Sequence, residues 1–338
     1  MSGKSPILNV AGRKIGEGHP AYVIAEIGFN HEGKISLAKE MISAAKEAGA
    51  DAAKLQTYLA RDLTLKNHPH YELIVHGELD LDAHLEMAEH ARSEGITFLS
   101  TPFSLDAVDL LEEVGVPAYK VASMDVTHHP MLAHIAATRK PVFLSTGMAT
   151  AAEIEAALAV LEKADAGDIA LLHCVSHYPP EIADANIRSM SVLREKFGRV
   201  TGYSDHVLGP IATLAAVARG ASVIEKHFTT DKNLPGPDHK ISANTDDLKA
   251  LITDIRAVEA ALGRACLDET RPDRGQANAS RRGIYANGDV KKGDPFTKDN
   301  LKIVRPESNL PPSAAGQFYG HTSNHYLADE APLEKETK

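Results

Sequence analysis

Tryptophan is absent from this 338-residue chain, other aromatic residues are few, and cysteine occurs twice. The two cysteines, Cys174 and Cys266, exclude the disulfide framework of a small secreted domain and suit a reducing compartment. Scarce aromatic residues beside plentiful Ala, Val, Leu and Ile are typical of a helix-rich α/β protein. The length is sufficient for one large α/β domain and a small one.

An excess of positive charge is also missing, since the formal net charge is -10. This balance excludes a general attraction to nucleic acid or to anionic membranes, although a local basic pocket for a small anion is compatible with it. No apolar run approaches the length that crosses a membrane, and the N-terminal segment lacks the apolar core of a signal peptide. We therefore expect a cytoplasmic protein with no nucleic-acid partner and no membrane partner.

Short β-prone runs alternate with stretches of helical apolar spacing from residue 20 to about 263. The eight β-prone runs are 22–27, 52–56, 97–100, 118–121, 141–145, 169–174, 200–204 and 222–227. Their nearly continuous apolar character indicates strands that are buried on both faces of a parallel sheet. Eight such units in about 250 residues predict a TIM (β/α)8 barrel. An open, doubly wound sheet is the alternative, and the lack of GxGxxG after the first run weakens it.

The chain divides by composition into three parts. The predicted barrel covers 1–263, and Gly263 ends its last helix. Residues 264–280 lose apolar periodicity and are predicted to form a linker. Residues 281–338 contain short strand-like pieces with turn signals between them, which predicts a small β-rich domain. A module of about 55 residues has a marginal core, so we expect it to pack against another surface.

Polar side chains stand at the ends of most predicted strands, where a TIM barrel builds its active site. These residues are Glu26, Lys54, Gln56, Thr101, Lys120, Ser123, Ser145, Thr146, Ser176, Tyr178, Ser204, Asp205, His206, Lys226 and His227. Lys54 and Lys120 lie inside strand runs, where a charged side chain needs an anionic partner. The pattern predicts a cationic cup, rich in hydrogen-bond donors, for a phosphate or carboxylate. Exposed surface positions are the ordinary alternative for such lysines.

His206 and His227 follow two consecutive strand runs, in GYSDH and EKHF. Neighbouring strands would place the two imidazoles side by side, where they could hold Mn, Fe, Co or Zn more readily than Mg or Ca. Such a metal would polarise a carbonyl or activate water, with Asp125 and Glu26 as the carboxylates for proton transfer. A hydrogen-bonded structural role is the alternative for either histidine alone, and a turn cap is the alternative for Asp125.

A loop rich in Gly and Pro follows the eighth predicted strand and carries Asp238 and His239 over the ends of the predicted strands, in LPGPDHKIS. Substrate contact is one interpretation of these two residues, and simple turn chemistry is the other. At this point several segments together resemble the sialic acid synthase family, and the C-terminal part resembles the antifreeze-like (SAF) domain of that family. The segments that carry the resemblance are IAEIGFNHEG, AAKLQTY, STPFS, YKVAS, LSTGM, LLHCVSHYP, GYSDHVLG, EKHFTTD, GPDH, RRGIYANGDVKKGD and IVRP.

The resemblance implies an enzyme that condenses phosphoenolpyruvate with an open-chain N-acetylated amino sugar, giving a nine-carbon 2-keto acid and phosphate. It implies that phosphoenolpyruvate contacts Lys54, Thr101, Lys120, Ser123, Ser145, Ser176 and Tyr178. It implies manganese on His206 and His227, and sugar contacts from Glu26, Gln56 and Asp238. Arg305 matches the SAF arginine that reaches the N-acyl group in the partner subunit, which implies a domain-swapped homodimer.

The chain departs from the family pattern at three places. Met124 and Asp125 stand where many synthases have glycine and glutamate, Ser176 replaces an asparagine of some members, and the segment after Arg305 is altered. These departures leave open which sugar is used, and the product could be N-acetylneuraminate, legionaminate, pseudaminate or another nonulosonate. The alternatives are a barrel synthase that uses a sugar phosphate, an aldolase with a Schiff base on Lys54 or Lys120, and an inactive sugar-binding protein.

Overall fold

The computed structural model describes residues 6–268 and 270–337 of the chain. These residues form two compact units, Met1–Gly263 and Arg264–Lys338. Over the same described ranges, none of the helices combines the length and the apolarity needed to span a membrane.

The first unit is built around eight parallel strands, which confirms the predicted TIM-type barrel. The strands are β3 (Tyr22–Gly28), β4 (Ala52–Thr57), β5 (Thr97–Pro102), β6 (Tyr119–Val121), β7 (Val142–Ser145), β8 (Ile169–Cys174), β9 (Val200–Asp205) and β10 (Val223–His227). Each pairs with its neighbour in the chain, β10 pairs with β3, and β5 contacts β6, so the sheet curls round on itself. Almost every strand residue is buried, because helices cover the outer face and side chains fill the inner face.

Helices connect these strands and turn their apolar sides toward the sheet. They are α1 (Ile35–Ala48), α2 (Ala60–Leu63), α3 (Tyr71–His76), α4 (Leu81–Glu94), α5 (Leu105–Val114), α6 (His129–Ala137), α7 (Ala151–Lys163), α8 (Ser189–Phe197), α9 (Ile211–Ala218) and α10 (Thr245–Leu262). Thr150 and Glu153 form the predicted capping box at the start of α7. Because each cap satisfies backbone donors that the helix leaves unpaired, it fixes where the chain turns after a strand.

A hairpin closes the N-terminal end of the barrel, and the sequence reading did not anticipate it. Its strands are β1 (Ile7–Val10) and β2 (Arg13–Gly16), paired in antiparallel fashion. Leu8, Val10 and Ile15 join one buried cluster with inward residues of the barrel strands. This apolar plug fills the bottom of the barrel and leaves the opposite, C-terminal end for chemistry.

The second unit has a core of its own. Its antiparallel strands are β11 (Gly283–Ala286) and β12 (Leu301–Val304), preceded by the short helix α11 (Ala277–Ser280). Its buried apolar residues are Ile284, Ala286, Val290, Phe296, Leu301, Leu310, Ala314, Ala315, Phe318, Leu327 and Leu333. The predicted linker region therefore contains a helical turn before the strand pair begins.

Candidate active site

A cavity of about 480 Å³ opens at the C-terminal ends of the barrel strands, and we call it the mouth. The predicted residues that line it are Glu26, Lys54, Gln56, Thr101, Lys120, Ser123, Ser145, Ser176, Tyr178, Ser204, His206, His227 and Asp238. They come from all eight strands or the segments that follow them. The closed parallel sheet brings together positions that are up to about 200 residues apart in sequence.

The alternation of side chains along a strand decides which residues of β10 face the mouth. Glu225 and His227, two residues apart, both line it, whereas Lys226 between them does not. Lys226 instead donates to the Oδ2 atom of Asp205 at 2.9 Å, and both side chains are almost fully buried. The expectation that Lys226 and Asp205 stand at the mouth is therefore wrong, because they form an ion pair outside it.

Two lysines and two glutamates form the floor of the mouth. The Lys54 Nζ atom lies 2.6 Å from Oε2 of Glu26 and donates to Oγ1 of Thr101 at 2.8 Å. Glu225 stands between the lysines, 3.7 Å from each Nζ atom, and accepts a hydrogen bond from Ser204 at 2.8 Å. The floor is therefore close to charge-balanced rather than cationic, because the protein itself supplies the anionic partners that the buried lysines require.

The pKa values of these groups follow from burial and from their charged neighbours. Burial raises the pKa of Glu26 to about 7 despite the nearby Lys54 charge. Burial also acts against ionisation of Glu225, but Lys120 and Lys54 outweigh it and hold that pKa at about 2. Burial lowers the pKa of Lys120. Glu225 is thus the fixed negative charge of the floor, and Glu26 is the carboxylate suited to exchange a proton near neutral pH.

Three serine hydroxyls converge beside this floor. Ser123 accepts a hydrogen bond from the Gly147 backbone N–H at 2.9 Å, and the buried Ser145 hydroxyl has no hydrogen-bond partner. A Cβ atom on Gly147 would come within 2.4 Å of the Ser176 Oγ atom, so only glycine allows this close approach. The hydroxyls, the backbone N–H and the two lysines form a donor group of the kind that binds a phosphate or carboxylate.

The two predicted metal ligands lie side by side, with 5.2 Å between the ring centres of His206 and His227. His206 donates from Nδ1 to the Val175 carbonyl at 2.9 Å, which leaves Nε2 with its lone pair in the neutral ring. Burial lowers the pKa of His227 and keeps that ring neutral, as metal binding requires. Burial also acts to lower the pKa of His206, but the contacts with Cys174 and the Val175 carbonyl outweigh it, and that pKa is raised. The Nδ1 atom of His227 is buried without a hydrogen-bond partner, 3.8 Å from Oδ2 of Asp238.

These donors fit a divalent metal of the transition series, since neutral imidazoles are ligands that Mn, Fe, Co and Zn accept. Among residues 6–268 and 270–337, no group of three or more His, Cys, Asp and Glu side chains is arranged to hold a metal ion. The protein would therefore contribute two imidazoles, with substrate and water as further ligands. Tyr178 packs against His206, with 4.2 Å between the ring centres, and restricts how that ring can turn.

Besides Lys226 and Asp205, four predicted residues do not line the mouth, namely Thr146, Asp125, His239 and Arg305. The Thr146 hydroxyl is buried and donates to the Leu172 carbonyl at 3.0 Å. Asp125 lies in the 3₁₀ turn Ser123–Asp125, directly after two residues that do line it, and its Oδ2 atom is buried without a hydrogen-bond partner. Burial raises the pKa of Asp125 to about 6. Arg305 belongs to the second unit, where it is exposed directly after β12.

Sequence reasoning missed Glu225 and Cys174, which both line the mouth. Their positions gave a usable signal, because Glu225 shares its strand face with His227 and Cys174 lies two residues before Ser176. The mouth also has an apolar side formed by Leu63, Phe103, Ala122, Met124 and Met148. Met124 is 53% exposed and Met148 is 71% exposed, so this side is open to a ligand.

A larger cavity of about 660 Å³ lies at the other end of the barrel, near the start of β9 and β10. It is lined by Gly16, Pro20, Arg194, Val200 and Ser222, among others. None of the predicted site residues lines this cavity. The chemistry-bearing residues of the first unit therefore gather at the C-terminal mouth.

Two protein-family models match this chain. The model described as the NeuB family matches residues 41–266, and the model described as the SAF domain matches residues 281–336.

Individual relatives are similar to this chain over nearly its whole length. An N,N'-diacetyllegionaminic acid synthase of Campylobacter jejuni is 40% identical over 91% of this chain and 97% of its own length. A pseudaminic acid synthase of Helicobacter pylori is 35% identical over 93% of this chain and 96% of its own. The crystal structure of an N-acetylneuraminic acid synthetase from Leptospira borgpetersenii superposes with a TM-score of 0.78. It is 36% identical and covers 80% of this chain and 95% of that one.

Proposed function

This chain belongs to the NeuB family, and on that premise we propose that it condenses phosphoenolpyruvate with an N-acetylated amino sugar. The products would be a nine-carbon 2-keto acid and inorganic phosphate, so the enzyme is a transferase of the nonulosonate synthase type. The observation that carries the proposal is the single mouth that joins an anion-binding group of lysines and serines to a pair of imidazoles.

The lysine and serine side of the mouth suits phosphoenolpyruvate. Lys54 and Lys120 would face the carboxylate and phosphate, while Ser123, Ser145 and Ser176 would donate hydrogen bonds to their oxygens. Thr101 holds the Lys54 ammonium at 2.8 Å, which limits the orientations that this charge can adopt. A donor group fixed before the ligand arrives stabilises charge without reorganisation during the reaction.

The imidazole side of the mouth suits the sugar. His206 and His227 would hold a divalent metal, Mn²⁺ in this proposal, which when bound acts as a Lewis acid on the sugar aldehyde. Glu26, Gln56 and Asp238 line the same region and can accept or donate hydrogen bonds to sugar hydroxyls. Gln56 donates to Oε1 of Glu26 at 3.2 Å, so these two side chains are held as one unit.

The reaction then forms a carbon–carbon bond and a carbon–oxygen bond to water, and it breaks the carbon–oxygen bond to phosphate. Carbon 3 of phosphoenolpyruvate attacks the aldehyde carbon, water adds to carbon 2, and the tetrahedral adduct collapses with C–O cleavage to release phosphate. Glu26, whose pKa is raised to about 7, is placed to take or return a proton. Asp125 would need a bridging water for such a transfer, since it does not line the mouth.

A substrate panel tests the proposal. We expect manganese-dependent phosphate release from phosphoenolpyruvate with 2-acetamido or 2,4-diacetamido hexoses, and little release with mannose, because the apolar side suits acyl methyl groups. Product masses would identify the nonulosonate formed. Turnover restricted to phosphorylated sugars would instead indicate a sugar-phosphate synthase, and borohydride trapping with pyruvate would indicate a Schiff-base aldolase.

Arg305 provides a second test, of the proposed domain-swapped homodimer. If Arg305 of one chain reaches the N-acyl group in the partner's mouth, Arg305→Ala should lower the preference for N-acetylmannosamine over mannose about tenfold, because a charge-assisted hydrogen bond is lost. Mixed dimers of Arg305→Ala and His206→Ala chains should regain the preference, since one mouth then has both groups. An unchanged preference in the Arg305→Ala enzyme would contradict this role.

A further inference from the structure

The loop between β10 and α10, residues 228–244, carries Asp238 to the mouth and is held by several buried polar contacts. Its base is closed by backbone hydrogen bonds from Ala243 to the His227 carbonyl and from Thr229 to the Ala243 carbonyl, at 2.8 and 3.0 Å. These bonds fix where the loop starts and ends. Side chains from the β3–α1 segment then fix its interior.

Asn30 makes the first of these side-chain contacts. Its fully buried amide donates to the Phe228 carbonyl and to Ser242 Oγ, both at 2.9 Å. Ser242 in turn donates to the backbone carbonyl of Asp238 at 2.7 Å. A continuous chain of hydrogen bonds therefore runs from Asn30 to the backbone of Asp238.

His239 makes the second contact, one residue after Asp238. Its ring is fully buried, with Nδ1 2.7 Å from Thr229 Oγ1 and Nε2 3.4 Å from Oε1 of Glu32. The loop packs closely on this ring, because a Cβ atom on Gly236 would lie 2.8 Å from its Cδ2 atom. Neither the mouth lining nor the proposed chemistry uses Glu32 or His239.

Proton placement links the two residues. The single hydroxyl hydrogen of Thr229 lies between Nδ1 of His239, at 2.7 Å, and the Asp231 carbonyl, at 3.1 Å. When Thr229 donates to Nδ1, the neutral ring carries its own hydrogen on Nε2, 3.4 Å from Oε1 of Glu32. The N–H and the carboxylate then attract each other, and neither Nε2 nor Oε1 has another hydrogen-bond partner. Lys34 holds the other Glu32 oxygen at 3.0 Å. Any change at Glu32 therefore alters how the ring of His239 is seated.

We propose that Glu32 and His239 are positioning residues that fix the Asp238 carboxylate beside His227 at the sugar side of the mouth. The inference rests on the proposed function, in which Asp238 contacts the sugar. Asp238 lies 3.8 Å from His227 Nδ1, so a small shift of the loop displaces this carboxylate relative to the imidazole pair.

Two substitutions at Glu32 test the role separately from folding. Glu32→Ala removes the contact, and we expect it to raise KM for the sugar about tenfold while KM for phosphoenolpyruvate changes less than about twofold. Glu32→Gln keeps the size of the side chain and an oxygen that can accept from the ring nitrogen, so the sugar KM of this variant should stay near the original value. Equal changes in both KM values, or no change in either, would overturn the proposal.

His84 offers a matched control. It is equally buried, with its two ring nitrogens 2.8 Å from the Asp80 carbonyl and from Thr57 Oγ1, and it does not line the mouth. His84→Asn should therefore leave the ratio of the two KM values unchanged. A shift toward a higher sugar KM in this variant as well would show that loss of any buried histidine has this effect, and would overturn the assignment.

Hydrogen exchange separates this inference from the proposed function. Amide exchange over residues 229–242 should rise in Glu32→Ala and His239→Asn proteins and stay at the original rate in Glu32→Gln and His84→Asn proteins. This measurement needs no substrate. If the protein turned over no sugar, the proposed function would be refuted, and the exchange rates would still decide whether Glu32 and His239 fix the loop. Unchanged exchange in Glu32→Ala and His239→Asn proteins would overturn the positioning role itself.

Discussion

Replacing either His206 or His227 with Ala should lower manganese-dependent phosphate release by on the order of 10³-fold, the scale of losing a principal electrostatic contact to the reacting group. The two rings are the only protein ligands proposed for the metal, and their centres are 5.2 Å apart. Losing one imidazole leaves the other unable to hold the ion in place. The measurement is phosphate release at saturating phosphoenolpyruvate, together with manganese binding by calorimetry in the absence of any substrate.

His173 on β8 serves as the control for this prediction. It is a buried histidine that does not line the mouth, and its Nε2 atom donates to the Ala185 carbonyl at 2.8 Å. His173→Gln can keep a donor there, so we expect turnover and manganese binding close to those of the original protein. Retained turnover in both the His206→Ala and the His227→Ala enzymes, or activity that EDTA does not affect, would refute the metal assignment.

The barrel could be predicted because its strands are buried on both faces and therefore appear as continuous apolar runs. The location of the candidate site could be predicted from the ends of these strands, because a closed parallel sheet gathers them at one mouth. The hairpin β1–β2 was missed because its turn has a weak sequence signal. Ala11 and Gly12 both have positive φ, as this two-residue turn requires, but only the glycine favours that conformation.

The charges of the mouth were harder to predict than its location. Glu225, Lys226 and His227 are consecutive, and strand alternation puts Glu225 and His227 on one face and Lys226 on the other. The register with β9 and β3 fixes which of these faces is turned inward. Reading Lys226 as a mouth residue and overlooking Glu225 are two forms of the same error. The predicted cationic cup follows from that error, because the anion that compensates both lysines was left out.

Glu225→Gln should be the substitution at the mouth that costs most stability. It keeps the shape of the side chain but removes the negative charge that lies 3.7 Å from both Lys54 and Lys120. Breaking a buried ion pair from one side costs about 3–5 kcal/mol, which corresponds to a fall in Tm of roughly 10 °C for a domain of this size. Thermal unfolding of the two proteins measures the difference.

The loss should also depend on pH. Burial already lowers the pKa of Lys120, and removing Glu225 takes away a charge that opposes this shift. Between that lowered value and the ordinary lysine pKa of about 10.4, the unfolded chain binds more protons than the folded one, so stability rises with pH. The Glu225→Gln protein should therefore recover part of its lost stability as the pH rises above neutrality. This gain in stability should be larger than that of the original protein over the same pH range.

Phosphoenolpyruvate should reverse much of the loss, because its negative charges replace that of Glu225 beside the two lysines. Its addition should raise Tm more in the Glu225→Gln protein than in the original one. Asp205→Asn is the matched control, since it breaks a buried ion pair with Lys226 on the neighbouring strand that does not face the mouth. Equal stabilisation of both variants by phosphoenolpyruvate would mean that Lys54 and Lys120 are not its binding site, and the anion side of the mouth would have to be reassigned.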